Sequence, residues 1–212
     1  MPYRATFEIT LSRLGVFFLF KTAVSNTTEQ RSIMQHYPKL TLVTGGIASG
    51  KSRWAEELVT TSDRKKVYIA TAQSFDVEME TKIARHRKDR DDLWRTIEAP
   101  LDLAGALAGA WQDEIILVDC LTMWLSNHLL AKHDPGAAAD QLIDALAALE
   151  VPVVLVTNEV GAGGVSGNKL ARRFAQEQGR LNQRIAKRAD LVVAVISGLP
   201  LALKGLIPDG AQ

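Results

Sequence analysis

The chain has 212 residues, of which 47% are apolar and 23% charged. These values are typical of one globular domain, and they exclude a disordered chain or a membrane bundle. The formal net charge of +1 provides no general attraction for a polyanion, so a nucleic-acid partner is not expected. Cys120 is the only cysteine, so an intrachain disulfide is impossible and a reducing, cytoplasmic compartment is expected.

Residues 1–36 are interpreted as an N-terminal extension. Its apolar run, residues 14–20, is far shorter than the roughly 20 residues that span a bilayer, so no membrane span is expected. The run reaches only the lower limit of a signal-peptide core. We therefore expect a poorly ordered or start-site segment, with Met34 the more natural beginning, ahead of one catalytic domain over residues 37–212.

Short β-branched runs alternate with amphipathic stretches along this domain. Such alternation predicts βαβ units and a mainly parallel α/β sheet flanked by helices, because strands buried on both faces are apolar throughout. The predicted strands are residues 40–44, 67–71, 115–119, 153–157 and 191–196. The predicted helices are residues 51–59, 78–91, 101–111, 121–131, 137–149 and 169–189.

The first predicted strand leads into a complete Walker A pattern at residues 45–52. Its glycines allow backbone N–H groups to surround phosphate oxygens, and the following helix directs its positive end at the same anion. Lys51 would contact the β- and γ-phosphates, and the Ser52 hydroxyl would bind Mg²⁺. The predicted triphosphate site consists of Gly45, Gly46, Ile47, Ala48, Ser49, Gly50, Lys51 and Ser52.

One histidine has an unusual setting on the predicted helix 78–91. Met79, Ile83, His86 and Arg90 are spaced to share one helical face, so an apolar stripe ends in a histidine near an arginine. A surface or packing histidine is one interpretation. The alternative is an imidazole nucleophile, because a neutral ring nitrogen can attack phosphorus while neighbouring cations offset the phosphoryl charge.

A carboxylate ends the buried strand predicted over residues 115–119. Asp119 follows four apolar residues, which is the expected placement of an acid that holds Mg²⁺ directly or through water. No Asn-Lys-x-Asp motif for reading guanine is present in the chain. The residues alone therefore predict a triphosphate and Mg²⁺ without fixing the base.

The last predicted helix, residues 169–189, is amphipathic. Leu170, Phe174, Leu181 and Ile185 lie on one stripe, and the remaining faces are strongly basic. Two interpretations stay open for the basic residues: a solvated face, or a face that meets phosphates or a neighbouring subunit.

At several places in one order the chain resembles the bifunctional adenosylcobinamide kinase / adenosylcobinamide-phosphate guanylyltransferases of cobalamin biosynthesis. The resemblance extends from about residue 40 to residue 204. The segments that carry it are VTGGIASGKSR (43–53), YIATA (68–72), DVEM (76–79), HRKDR (86–90), WRTIE (94–98), VDCLT (118–122), VTNEVG (156–161), NQRIA (182–186) and AD (189–190).

The resemblance implies two reactions on one scaffold. ATP or GTP phosphorylates the aminopropanol hydroxyl of adenosylcobinamide, and GTP then transfers GMP to adenosylcobinamide phosphate through a guanylylated histidine, here His86. It also implies a recombinase-type P-loop domain and a homotrimer with active sites near subunit interfaces. Besides the Walker A loop, the implied nucleotide-binding residues are Ala70, Thr71, Ala72, Arg87, Lys88, Asp89, Arg90, Glu98 and Asp119.

The chain departs from the family pattern at two places. Asp91 and Asp92 stand where a proline usually follows the histidine segment, and Ser166 replaces a proline in the glycine-rich loop 161–167. These changes leave the phosphate chemistry intact and put in doubt how the loop orders over the corrinoid. Asn158 and Glu159, just before that loop, are candidates for nucleotide or substrate contacts, and a partner-facing loop is an equally good interpretation.

One alternative of another class remains open at this point. A P-loop ATPase or regulatory nucleotide-binding module would share the Walker A loop and Asp119, yet it would never form a covalent nucleotidyl-enzyme. Covalent labelling by GTP separates this alternative from the guanylyltransferase.

Overall fold

A computed structural model of the chain describes residues 37–73 and 94–211. The predicted helix 78–91 and the N-terminal extension therefore lie outside the described residues. The strands are β1 (Leu40–Gly45), β2 (Lys65–Ala70), β3 (Trp94–Glu98), β4 (Glu114–Asp119), β5 (Val153–Asn158), β6 (Leu191–Ile196) and β7 (Leu199–Lys204). The helices are α1 (Lys51–Thr60), α2 (Leu103–Ala108), α3 (Leu121–Leu130), α4 (Pro135–Ala148) and α5 (Lys169–Arg188).

All the described strands belong to one sheet, in the order β3-β2-β4-β5-β1-β6-β7. Every neighbouring pair is parallel except β6 and β7, which form an antiparallel hairpin. The carboxyl ends of β1, β2, β4 and β5 consequently meet at one edge of the sheet, the place where ligands bind in open parallel sheets. The predicted mainly parallel α/β fold is confirmed.

The sheet is apolar on both faces because helices cover both of them. On one face, Trp54 and Leu58 of α1 pack against alternate strand residues such as Val43. On the other face, α2, α3, α4 and α5 supply buried side chains such as Trp124 and pack against residues such as Leu42. Adjacent strand residues thus face opposite cores, which explains the continuous apolar runs that predicted the strands.

Two strands were not predicted from the sequence. β3 is a short strand in which three of five residues are exposed, so it lacks a continuous apolar run. β7 contains Pro200 and pairs only with β6 among the described strands; a proline is tolerated on such an edge strand. The two outer strands of the sheet therefore form because each pairs with a neighbouring strand, and no local sequence pattern indicates them.

The predicted apolar stripe of α5 is only partly buried. Leu181 and Ile185 are buried in the core, and Phe174 is half-buried against it. Leu170, in the first turn of α5, is 54% exposed. None of the helices in the described part of the chain is long and apolar enough to cross a membrane.

Candidate functional site

The loop between β1 and α1 folds tightly against the β6–β7 hairpin. A Cβ on Gly45 would lie 2.5 Å from the Val195 carbonyl oxygen, so no larger residue fits there without movement of backbone. Gly50 has a φ of +93°, a conformation that L side chains rarely adopt. The Gly198 N–H, in the hairpin turn, donates to the Ser49 carbonyl at 2.8 Å. The two glycines of the Walker A pattern are therefore required by this packing and by this turn.

Lys51 directs a positive charge into this loop. It is the first residue of α1, its side chain is largely buried, and its Nζ donates to the Gly46 carbonyl at 3.1 Å. No side chain caps α1 and no acidic residue occupies its first turn. The first N–H groups of any α-helix have no intrahelical acceptor, and in α1 no side chain takes that place. These N–H groups, and the positive end of the helix dipole, therefore point into the loop.

Asp119 lies directly beside the Walker A serine. The Ser52 hydroxyl donates to Asp119 Oδ1 at 3.4 Å, and the Tyr68 hydroxyl donates to Asp119 Oδ2 at 2.7 Å. Both carboxylate oxygens are thus oriented from within the chain. Tyr68 was not among the site residues predicted from the sequence, because its contact with Asp119 depends on the pairing of β2 with β4.

Thr71 holds the turn that follows Asp119. Its side chain is fully buried; Oγ1 donates to the Cys120 carbonyl at 2.7 Å and accepts from the Cys120 N–H at 2.9 Å. The Thr71 carbonyl accepts from Asn127 Nδ2 at 2.8 Å. Because these groups are already engaged, the geometry gives Thr71 a positioning role beneath the site.

The thiol of Cys120 is unsuited to act as a nucleophile here. Burial raises its pKa, and the neighbouring negative charge of Asp119 raises it further. The thiol is therefore neutral near pH 7, whereas the thiolate is the reactive form.

The predicted site residues at the ends of β2 and β3 are aligned with Asp119 across neighbouring strands. Ala70 pairs in register with Asp119 on one side and with Glu98 on the other. Ala72 follows β2 and is half-buried, and Glu98 is exposed at the end of β3. The structure thus brings Ala70, Glu98 and Asp119 to the same sheet edge as the Walker A loop.

The predicted nucleophile and its basic neighbours complete the set of predicted site residues. His86, Arg87, Lys88, Asp89 and Arg90 lie outside the described residues. Their predicted roles remain predictions.

Part of the basic face of α5 is engaged within the chain. Arg172 Nη1 donates to the carbonyls of Ser166 and Gly167 at 2.9 and 2.8 Å, which ties the glycine-rich loop to the start of the helix. Arg184 forms an ion pair with Asp140 of α4. These residues are therefore structural at least in part.

The site combines a strand, a glycine-rich loop, a Lys-Ser pair at the start of a helix, and a carboxylate at the end of a nearby parallel strand. Together these features define a P-loop nucleotide-binding enzyme. Comparison with known proteins gives the particular family. The family model for cobinamide kinase / cobinamide phosphate guanyltransferase matches residues 41–203. The chain belongs to this family, and it is a bifunctional cobinamide kinase and guanylyltransferase of adenosylcobalamin biosynthesis.

Curated relatives are similar over nearly their whole length. The chain is 45% identical over 168 residues to the bifunctional adenosylcobalamin biosynthesis protein CobP of Pseudomonas aeruginosa, covering 77% of this chain and 96% of that protein. It is 43% identical over 180 residues to the bifunctional adenosylcobalamin biosynthesis protein CobU of Salmonella typhimurium, covering 77% of this chain and 98% of that protein. The family resemblance of the sequence is confirmed.

Solved structures show more distant similarity. A Pyrococcus horikoshii protein has a TM-score of 0.48 at 10% identity, over 79% of this chain and 87% of its own. The RadB recombinase has a TM-score of 0.40 at 16% identity, over 74% of each chain.

Proposed function

We propose that both reactions use the triphosphate site at the carboxyl edge of the sheet, with His86 as the residue that carries GMP. The observation that supports this most directly is the convergence of the Walker A loop, Lys51, Ser52 and Asp119 at one place. In the kinase reaction the loop N–H groups and Lys51 hold the β- and γ-phosphates of ATP or GTP. The aminopropanol hydroxyl of adenosylcobinamide then attacks the γ-phosphorus.

The guanylyl transfer has two steps in this proposal. A neutral His86 nitrogen attacks the α-phosphorus of GTP and pyrophosphate leaves; a phosphate oxygen of adenosylcobinamide phosphate then attacks the same phosphorus and frees the histidine. Ala70, Ala72, Glu98 and the segment 87–90 line the nucleotide in this proposal. Incubation with GTP alone is the direct test, because the intact protein should gain the mass of one GMP unit.

The residues at the site fit a Mg²⁺ ion bound largely through phosphates and water. Ser52 Oγ and Asp119 Oδ1 lie 3.4 Å apart and are the oxygen atoms that would hold the ion. Among the described residues, no cluster of three or more His, Cys, Asp or Glu side chains is available to hold a metal. Such a sparse oxygen set suits Mg²⁺, which keeps several waters and takes substrate phosphates as ligands. When bound, the ion would supply charge neutralisation between the phosphates.

Replacing Tyr68 by phenylalanine tests the orientation of Asp119. The change removes one hydroxyl that donates to the carboxylate and leaves the buried ring in place. Loss of such an outer partner is expected to raise the Mg²⁺ concentration for half-maximal kinase activity by about 10-fold. A Mg²⁺ titration of both proteins measures this. An identical titration curve would show that the hydroxyl does not orient the metal ligand.

We further propose that the protein is a cytoplasmic homotrimer whose subunits meet along β7. Leu199 and Leu201 share one face of this strand, Leu203 lies at an irregularity in its pairing with β6, and the three are 72%, 55% and 60% exposed, which leaves an apolar surface at one end of the sheet. Exposed apolar edge strands are usually covered by another chain or element. The hairpin turn also contacts the Walker A loop through Gly198, which would place the phosphate site close to such an interface.

A charge in this apolar surface should disrupt the trimer. Leu201→Asp would bury a carboxylate among apolar side chains at the interface, so it is expected to yield monomers by light scattering. Ala202→Asp is the matched control, because Ala202 is exposed on the opposite face of the same strand. A trimer that survived Leu201→Asp would exclude this face.

A further inference from the structure

Two histidines meet where α3 ends. Lys132 has a φ of +60°, so the chain turns sharply just after the helix. The Lys132 N–H donates to the Leu129 carbonyl at 3.1 Å, and the His133 N–H donates to the His128 carbonyl at 2.9 Å. These two bonds form a Schellman motif, in which the side chains at the positions of His128 and His133 usually pack together. The way the helix ends therefore brings two imidazole rings into contact.

The two rings face each other through the same ring nitrogen. His128 Nδ1 and His133 Nδ1 are 3.2 Å apart, and the ring centroids are 5.3 Å apart. His128 is only 8% exposed, whereas His133 is an exposed residue. The pair thus has one ring that is held by the core and one ring that solvent can reach.

The protonation of His128 follows from its other ring nitrogen. Nε2 lies 3.2 Å from the Leu101 carbonyl, which also accepts from Trp124 Nε1 at 2.9 Å. A carbonyl only accepts, so Nε2 carries the proton and Nδ1 of the neutral ring directs its lone pair towards His133. Burial lowers the pKa of His128, which favours the neutral ring near pH 7. Histidines that bind metal ions usually donate their second N–H to a carbonyl or carboxylate in this way.

A cavity opens beside the two histidines. It has a volume of about 270 Å³, it lies between α2, α3 and α4, and both rings line it. Asp102 and Gln141 also line it, and they add a negative charge and an amide to a wall that is otherwise largely apolar. A water molecule occupies roughly 30 Å³ in the liquid, so several can lie next to the rings.

We propose that the Nδ1 atoms of His128 and His133 together bind a divalent transition-metal ion such as Zn²⁺, with water molecules of the cavity as its other ligands. Zn–N bonds are about 2.0–2.1 Å long, so two nitrogen ligands of a tetrahedral ion lie about 3.3 Å apart. The observed separation of 3.2 Å matches this value. Without the ion, the two nitrogens share the proton of His133 Nδ1. When the ion binds, that proton moves to His133 Nε2.

The ligand set distinguishes this site from the triphosphate site. Neutral imidazoles suit Zn²⁺, Ni²⁺ and Cu²⁺, whereas Mg²⁺ prefers oxygen ligands. Because the described residues contain no group of three or more His, Cys, Asp or Glu that could hold a metal, the protein supplies two strong ligands and the ion can exchange. A bound ion would join the last turn of α3 to the segment before α4, so it should stabilise the folded chain. The inference does not depend on the proposed function.

A zinc titration of the full chain tests this site, in excess Mg²⁺ and without nucleotide. Competition with a chromophoric zinc indicator gives the dissociation constant, and thermal unfolding gives the effect on the fold. The parent is expected to bind Zn²⁺ with a roughly micromolar dissociation constant. Its unfolding temperature should rise as Zn²⁺ is added, because the ion binds the folded state.

Removal of the exposed ring is the main variant. His133→Ala should weaken this zinc binding by at least about 100-fold, since loss of even an outer partner of a metal ligand costs 10- to 100-fold. The rise in unfolding temperature should disappear with it. Lys132→Gly is the matched control, because it changes the same turn, suits the positive φ and keeps both rings. This control should bind Zn²⁺ as the parent does.

The inference fails under any of three results. Equal zinc affinity of the parent and His133→Ala would place the ion elsewhere. A parent that bound Zn²⁺ only at millimolar concentration would carry an adventitious ion only. A folded His128→Gln protein with the affinity of the parent would show that the two rings do not share one ion.

Discussion

Replacing Lys51 with alanine is expected to abolish both the kinase and the guanylyl transfer. The ammonium group of Lys51 donates a hydrogen bond to a carbonyl of the Walker A loop, and among the described residues of this loop no other side chain is positively charged. Without it, both reactions lose the charge that holds the triphosphate in position. The loss should be about 10³-fold or more in each activity, roughly 4 kcal/mol of transition-state stabilisation. Radiolabel transfer from γ-labelled ATP and intact-mass analysis after GTP measure the two effects.

A second lysine provides the control for this experiment. Lys39 precedes β1 at the opposite edge of the sheet and is exposed, so Lys39→Ala should leave both activities close to those of the parent. The thermal unfolding of Lys51→Ala should show that the variant remains folded. A folded Lys51→Ala protein that kept one activity would mean that the two reactions do not share a phosphate site.

Replacing His86 with alanine is expected to remove guanylyl transfer and to spare the kinase. The parent should gain the mass of one GMP unit on incubation with GTP, and the variant should gain none, because the nucleophilic nitrogen is lost. Kinase turnover should persist, since the hydroxyl of the substrate, not the histidine, attacks the γ-phosphorus in that reaction. Intact mass spectrometry and a phosphate-transfer assay on the same samples measure both.

The control for His86 is another histidine. His133 is exposed and lies between α3 and α4, so His133→Ala should still take up GMP. If the His86→Ala protein still gained the mass of GMP, another residue would be the nucleophile. Cys120 is a poor candidate for that role because its buried thiol is neutral near pH 7. Loss of both activities in a folded His86→Ala protein would mean that the histidine is structural or serves both steps.

The sequence by itself determined the phosphate loop, its lysine and serine, the carboxylate at the end of β4, and the mainly parallel sheet. These features have local causes. The loop needs glycines at fixed spacing around a phosphate, and strands buried on both faces need unbroken apolar runs, so both leave a pattern in a short window. The family resemblance followed from several such windows in one order.

Only the tertiary structure decided which residues support that site. Tyr68 reaches Asp119, and the Thr71 side chain is committed to the turn beneath it, yet neither contact leaves a local pattern. β3 and β7 likewise exist because a neighbouring strand pairs with them. Such contacts join residues far apart in the chain, and they depend on strand order and side-chain direction, which spacing along the sequence does not encode.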